Sequence, residues 1–426
     1  MGMERSGIRK STILKKFEIK RFYKLRVYGI LRSKGIILNN TGFNNTTLKQ
    51  QNRGLLFKKI LMEECNSRVE LAQQTGLSKM AVTNIVREFE DLHYVEEYKT
   101  ASPAGKGRNP VRLVISDRAP KLIGINIVRE GCTVLLCDLN LRQIRESKFD
   151  ITEENKDDLL PMLFRSVDEV MEGMPEGNIL GIGVGALGPI DRHRGLILNP
   201  PHFFGLRNIE IVKELKERYG LPVYLDGHYN CAAVLEKYFG AARECQDFLF
   251  VGVRRGIGSG FIHHEEIYRN NSGFTSEFGH VSIDWKGRLC SCGNRGCLEQ
   301  YLSTGVLESE LAAITGELKA FREYGELYAE EAPDEVEAFF KERMNMLATA
   351  IVSVINYSHP EMVVIGDMGY WIPDRFITYL EQIVNEKKLG GSHMHVSVCK
   401  PHFKDRGRII GSVCAVLEAL FRGELF

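Results

Sequence analysis

Residues 277–303 read EFGHVSIDWKGRLCSCGNRGCLEQYLS, and within them His280, Cys290, Cys292 and Cys297 form an H-x9-C-x-C-x4-C pattern. Three thiolates and one imidazole satisfy a tetrahedral Zn2+ ion, and four filled positions imply a structural ion rather than one that activates water. Gly293 and Gly296 let the backbone fold tightly around it. The alternative for the same residues is a set of buried, reduced thiols. The other cysteines are irregularly spaced along a 426-residue chain, so the cluster points to a metal rather than to a disulfide framework.

Outward from this loop the chain alternates strand-like and helical segments. LIGINIV (122–128), TVLLCDL (133–139), ILGIGVGAL (179–187), PVYLDG (222–227), DFLFVGV (247–253), GSGFIHH (258–264) and MVVIGD (362–367) read as strands. DLLPMLFRSVDEVMEGM and EAFFKERMNMLATAIVSVINYS read as helices, which makes the region from residue 119 to 426 an α/β body.

Residues 47–118 have a different character. Leu55, Leu56, Ile60 and Leu61 recur at helical spacing. In SRVELAQQTGLSKMAVTNIVREFEDLHYVEE (67–97), Ser67 and Glu70 suit a capping box, with Val69, Leu71 and Ala72 as the apolar face behind it. Gly76 permits a tight turn onto which Leu77 packs, and Ser78 caps a second helix whose Val82, Ile85, Val86 and Phe89 face inward. Ser78, Lys79, Met80, Ala81, Thr83, Asn84 and Arg87 remain on its outer face or first turn, where they suit phosphate and base-edge contacts in a major groove. A strand from Tyr94, the turn SPAGKGRNP (102–110) and VRLVI (111–115) complete a winged helix-turn-helix pattern, with Lys106 and Arg108 placed to grip DNA.

Residues 1–50 carry twelve Lys/Arg against Glu4 and Glu18, while the chain as a whole is at +1. A basic arm on an acidic body attracts polyanions; residues 1–46, which lack a helix signal, are expected to be poorly ordered. No apolar run is long enough to span a membrane and no secretory pattern occurs, so a cytoplasmic address without membrane insertion is expected.

These motifs together resemble the ROK family of repressors, uncharacterised frames and sugar kinases. The resemblance runs from about residue 44 to the C-terminus, through GALGPID (185–191), NCAAVLEKYFG (230–240), RRGIGSGFI (254–262), EFGH (277–280), GCLEQYLS (296–303) and IIGSVCAVLEAL (409–420). LKQQNRGLLFKKIL (48–61) places it in the repressor branch. The resemblance implies a two-lobed, actin-like (ribonuclease H-like) sugar-kinase fold, a structural zinc loop, and sugar contacts from Glu277, His280 and Glu299.

It also implies departures from a kinase. The family's base aspartate falls on His228, with Asp226 two residues earlier on a strand. The first phosphate loop, D-x-G-G-T in the family, reads Asn126-Ile127-Val128-Arg129-Glu130. A kinase needs a base to take the hydroxyl proton and close backbone approach to phosphates. The expectation is therefore no enzyme, but a homodimeric DNA-binding repressor of carbohydrate-utilisation genes. Its partners are an operator duplex and a carbohydrate effector, with His228 among the effector contacts. Its alternatives are an ATP-dependent, glucokinase-like sugar kinase with an attached DNA-binding domain, or a regulator governed by a protein partner.

Overall fold

The computed structural model describes residues 45–99, 111–175, 177–270 and 276–426. The basic arm up to residue 44, and Lys106 and Arg108, lie outside the described residues. Contacts divide the chain at Leu48, and the unit Lys49–Phe426 holds all that follows apart from the first turn of α1.

The head consists of α1 (Asn45–Leu61), α2 (Arg68–Thr75), α3 (Lys79–Asp91) and the antiparallel pair β1 (Val95–Lys99) and β2 (Val111–Ile115). Both caps form where the sequence places them: Ser67 Oγ accepts the Glu70 N–H at 3.3 Å, and Ser78 Oγ accepts the Ala81 N–H at 3.2 Å. Gly76 ends α2 at φ 71°, a left-handed value that a side chain would strain.

Three expectations need correction. The Glu70 carboxylate accepts the Asn66 N–H at 2.8 Å, one residue before the reciprocal partner of a capping box. Val69 is 54% exposed, because it lies about 200° around the helix from buried Leu71 and cannot share its face. Leu55 is likewise exposed, and Phe57 takes the inward position beside Leu56, Ile60 and Leu61.

The body carries two five-stranded sheets. β3 (Lys121–Val128), β4 (Gly131–Cys137), β5 (Gln143–Asp150), β6 (Ile179–Ala186) and β7 (Val223–Gly227) lie in the order β5-β4-β3-β6-β7. β8 (Phe248–Val253), β9 (Ile257–His263), β10 (Glu266–Ile267), β11 (Met362–Asp367) and β12 (Ser397–Cys399) lie in the order β10-β9-β8-β11-β12. In each sheet the first three strands form an antiparallel meander, and the last two add in parallel to the first strand's other edge. The same topology appears twice, once per lobe.

β3, β6, β8 and β11 are buried almost end to end, which explains their unbroken apolar sequences. In the first lobe α4 (Leu159–Met171) and α5 (Ile211–Tyr219) pack on the sheet. In the second lobe α7 (Asp334–Ser358) and α8 (Asp374–Lys387) do so. α6 (His228–Phe239) follows β7 and contacts β9 and β8 across the lobe boundary. α6, α9 (Cys414–Phe421) and the head share one continuous core. Among the described residues no helix is long and apolar enough to cross a membrane.

Candidate functional site

On the head, α3 buries Val82, Ile85, Val86 and Phe89 and exposes Ser78, Lys79, Met80, Asn84 and Arg87. Ala81 and Thr83 are half-buried, and the Thr83 hydroxyl donates to the Lys79 carbonyl at 2.7 Å.

In the second lobe the loop 280–297 brings His280, Cys290, Cys292 and Cys297 together, their ligand atoms all within 4.8 Å of one another. Zinc–sulfur bonds of about 2.3 Å and zinc–nitrogen bonds of about 2.0–2.1 Å at tetrahedral angles put two sulfurs about 3.8 Å apart, and sulfur and nitrogen about 3.6 Å apart. The observed separations are 3.7 Å between the Cys292 and Cys297 sulfurs, and 3.6 Å between Cys290 Sγ and His280 Nδ1. The cluster therefore fits a tetrahedral metal ion. Hydrogen bonds brace it: the Cys290 N–H donates to the Asn294 carbonyl at 2.8 Å, and Gln300 Nε2 donates to Cys290 Sγ at 3.5 Å. The Asn294 backbone amide holds the Cys292 thiol below its ordinary pKa. Gly293 (φ 91°) and Gly296 (φ 68°) take left-handed turns, and a Cβ on Gly296 would overlap the Asp284 carbonyl.

Both ends of this loop dock on Ile257, the first residue of β9. At one end, Gly279 packs so closely on the Ile257 carbonyl that a Cβ would overlap it. At the other, Glu299 Oε2 accepts the Ile257 N–H at 3.0 Å. The cysteine loop thus fixes Glu277, His280 and Glu299 along one wall of a 340 Å³ cleft between the lobes.

The opposite wall carries His228, at the N-terminus of α6. Burial, then the Arg408 guanidinium, hold its pKa well below the usual histidine value; one ring N–H donates to the Ala186 carbonyl. Its Nδ1 is buried without a partner. Asp226 does not line the cleft. Its Oδ1 accepts from the Gly227 N–H (2.7 Å) and Asn230 Nδ2 (2.8 Å), and its Oδ2 from Arg269 Nε (2.7 Å).

The glycine run 256–260 is occupied by the protein itself. Cβ atoms on Gly252 or Gly258 would overlap the Tyr229 ring, and one on Gly260 would lie 2.6 Å from the Tyr229 carbonyl oxygen. These glycines admit α6 against the sheet. Between β3 and β4, Arg129 and Glu130 make a short turn.

The twice-used strand order, the cleft between the lobes and the cysteine loop on its wall agree with a family model described as the ROK family, which matches residues 122–419. The chain belongs to the ROK family. A putative xylose repressor of Caldicellulosiruptor sp. (strain Rt8B.4) is 30% identical over 394 residues, 88% of this chain and 97% of the relative. A ROK family transcriptional regulator homologous to the Escherichia coli MLC protein has a crystal structure that covers 89% of this chain and 98% of its own, at 24% identity and a TM-score of 0.77. A ROK family glucokinase from Streptomyces griseus, solved with glucose and AMPPNP, covers 69% and 98%, at 21% identity and a TM-score of 0.61. Both structures share the actin-like, sugar-kinase-like fold of this ROK chain.

Sequence reasoning missed two residues of the cleft. Arg254 and Arg408 line it with Arg129 and Arg255. They come from different elements: the doubled arginine of RRGIG (254–258) hinted at Arg254, and nothing in the sequence around Arg408 marked it.

Proposed function

We propose that this ROK chain is a DNA-binding transcriptional repressor of carbohydrate-utilisation genes that senses a carbohydrate in the inter-lobe cleft and has no kinase activity. The observation that carries the reading is the packing of the head onto a sugar-kinase-like body; it is supported by neutral His228 in the cleft, the residue on which the ROK resemblance places a kinase's carboxylate base. Relatives named as repressors match almost end to end, head included.

In this reading residues 47–118 are a winged helix-turn-helix and residues 119–426 the effector-binding and dimerisation body. α3 enters the major groove, where Lys79 and Arg87 meet phosphates and Met80, Asn84 and their neighbours meet base edges. Lys106 and Arg108 of the wing reach the flanking groove. Two copies read half-sites about one helical turn apart. His280, Cys290, Cys292 and Cys297 hold a structural Zn2+, whose chemistry is to crosslink the loop and turn His280 toward the cleft. Glu277 and Glu299 accept hydrogen bonds from sugar hydroxyls, and His228 Nδ1 accepts another. A ligand that prefers one lobe arrangement shifts the spacing of the heads; differential affinity alone can do this.

A mobility shift on the DNA upstream of the chain's own gene tests the head. Retardation by the wild type that weakens about tenfold or more in Asn84→Ala and Arg87→Ala supports the reading. Equal retardation by all three proteins overturns it.

A further inference from the structure

The cleft has a hydroxyl-binding end and a cationic end. At the second, Arg129, Arg254, Arg255 and Arg408 line the cavity. Asp367 and Glu130 lie beside three of these guanidinium groups. Asp367 lies 2.7 Å from Arg408 and 3.6 Å from Arg254, and Glu130 lies 3.9 Å from Arg254 and 3.6 Å from Arg255. Glu277 and Glu299 line the hydroxyl-binding end of the same cleft, so the cationic character is local to the place where the four guanidinium groups converge. Arg408 is the decisive member: it is only 4% exposed, and its buried Nη1 has no hydrogen-bond partner. A buried guanidinium N–H without an acceptor is costly, and the planar fork of arginine matches phosphate or carboxylate oxygens.

We propose that the carbohydrate sensed by this chain is anionic, a sugar phosphate or a sugar acid, and that these four arginines receive its charged group. The inference rests on the reading of the cleft as the effector site and names the class of effector. The two ends adjoin at Gly256: a Cβ there would lie 3.0 Å from Glu299 Oε2 and 3.4 Å from Arg129 Nη2, so one monosaccharide reaches both. A nucleotide's phosphate chain fits poorly. It needs glycine backbones to approach closely, and here Tyr229 fills the glycine run while Arg129 and Glu130 replace the first loop. One compact anionic group suits separate arginine forks better.

The test is calorimetric titration of the full-length, zinc-loaded chain. The probes are xylose, glucose and N-acetylglucosamine, each beside its monophosphate and a corresponding sugar acid, with inorganic phosphate and ATP as separate arms. One anionic sugar is expected to bind at least about tenfold more tightly than its neutral parent, and the phosphate and acid arms identify which anion is meant. The partly exposed pair Arg129→Gln/Arg255→Gln, which should fold even if Arg408→Met does not, is expected to erase most of that ratio. A neutral sugar that binds as tightly as its anionic forms, or a ratio unchanged in the double variant, overturns the inference and leaves the sensor reading standing. Binding of ATP alone, or of no carbohydrate in any form, overturns both.

Discussion

His228 holds a neutral imidazole in the folded chain, because burial and the Arg408 charge both oppose a proton there. In the unfolded chain the same ring takes up a proton near the ordinary histidine value of about 6.5. Below that value the unfolded state binds the extra proton, so stability falls as pH falls; above it the contribution is fully present. Thermal melts between about pH 7.5 and pH 5.5 are expected to show a steeper acid loss for the wild type than for His228→Gln. Parallel curves would remove His228 from that role. At this scale the clustering of His280, Cys290, Cys292 and Cys297 was legible in the sequence, since it is a local pattern. The arginine end was not, because Arg129, Arg254 and Arg408 meet only once three distant segments fold together. The capping partner of Glu70 was misplaced by one residue for a related reason: spacing says which groups are near, and only the chain's entry angle says which N–H the carboxylate reaches.

Among elements, α1 and α9 matter most to the coupling of head and body. Gly54 of α1 lies so close to the Phe421 carbonyl that a Cβ would overlap it, and Gly423 is equally close to the Gln50 carbonyl. Beyond that crossing, Phe426 packs its ring 5.0–5.5 Å from those of Phe57, Phe89 and Tyr94, and Tyr94 donates to the Leu425 carbonyl at 3.1 Å. The C-terminal segment thus supplies an aromatic side chain to the core beneath α3. Phe426→Ala is expected to cost about 1–2 kcal/mol and to make the head cleave first in limited proteolysis; unchanged denaturation would show that the ring adds nothing. The strong helices and the doubly buried strands were legible because their periodicity is set by burial. β5 was not: it is an edge strand with a largely exposed, charged sequence, held mainly by its ladder to β4. The contribution of the C-terminus to the head left no local signal at all.

In the whole molecule, the lobes meet across the cleft through partly exposed contacts: Glu130 with Arg254 and Arg255, and Arg129 Nη1 donating to the Arg255 carbonyl at 3.4 Å. The buried core around α6 holds the lobes together, while these ion pairs at the cleft contribute little, so a ligand there can change how far the cleft closes about α6. A route to the head runs from the His228 end of α6 through Asp226 to Arg269, which pairs with Glu418 of α9 at 2.6 Å. α9 leads into the segment seated in the head. The cysteine loop anchors the opposite wall, so with the proposed Zn2+ bound there chelation is expected to lower Tm by at least about 5 °C and to blunt the response to carbohydrate more than operator binding itself. Loss of operator binding with an intact carbohydrate response would reverse that assignment. Whether the cleft governs the head is decided by operator retardation titrated with the neutral and anionic sugar panel at fixed salt. One carbohydrate is expected to raise the apparent Kd for the operator about tenfold or more. Retardation indifferent to every carbohydrate, from a chain that is folded and zinc-loaded, would contradict it.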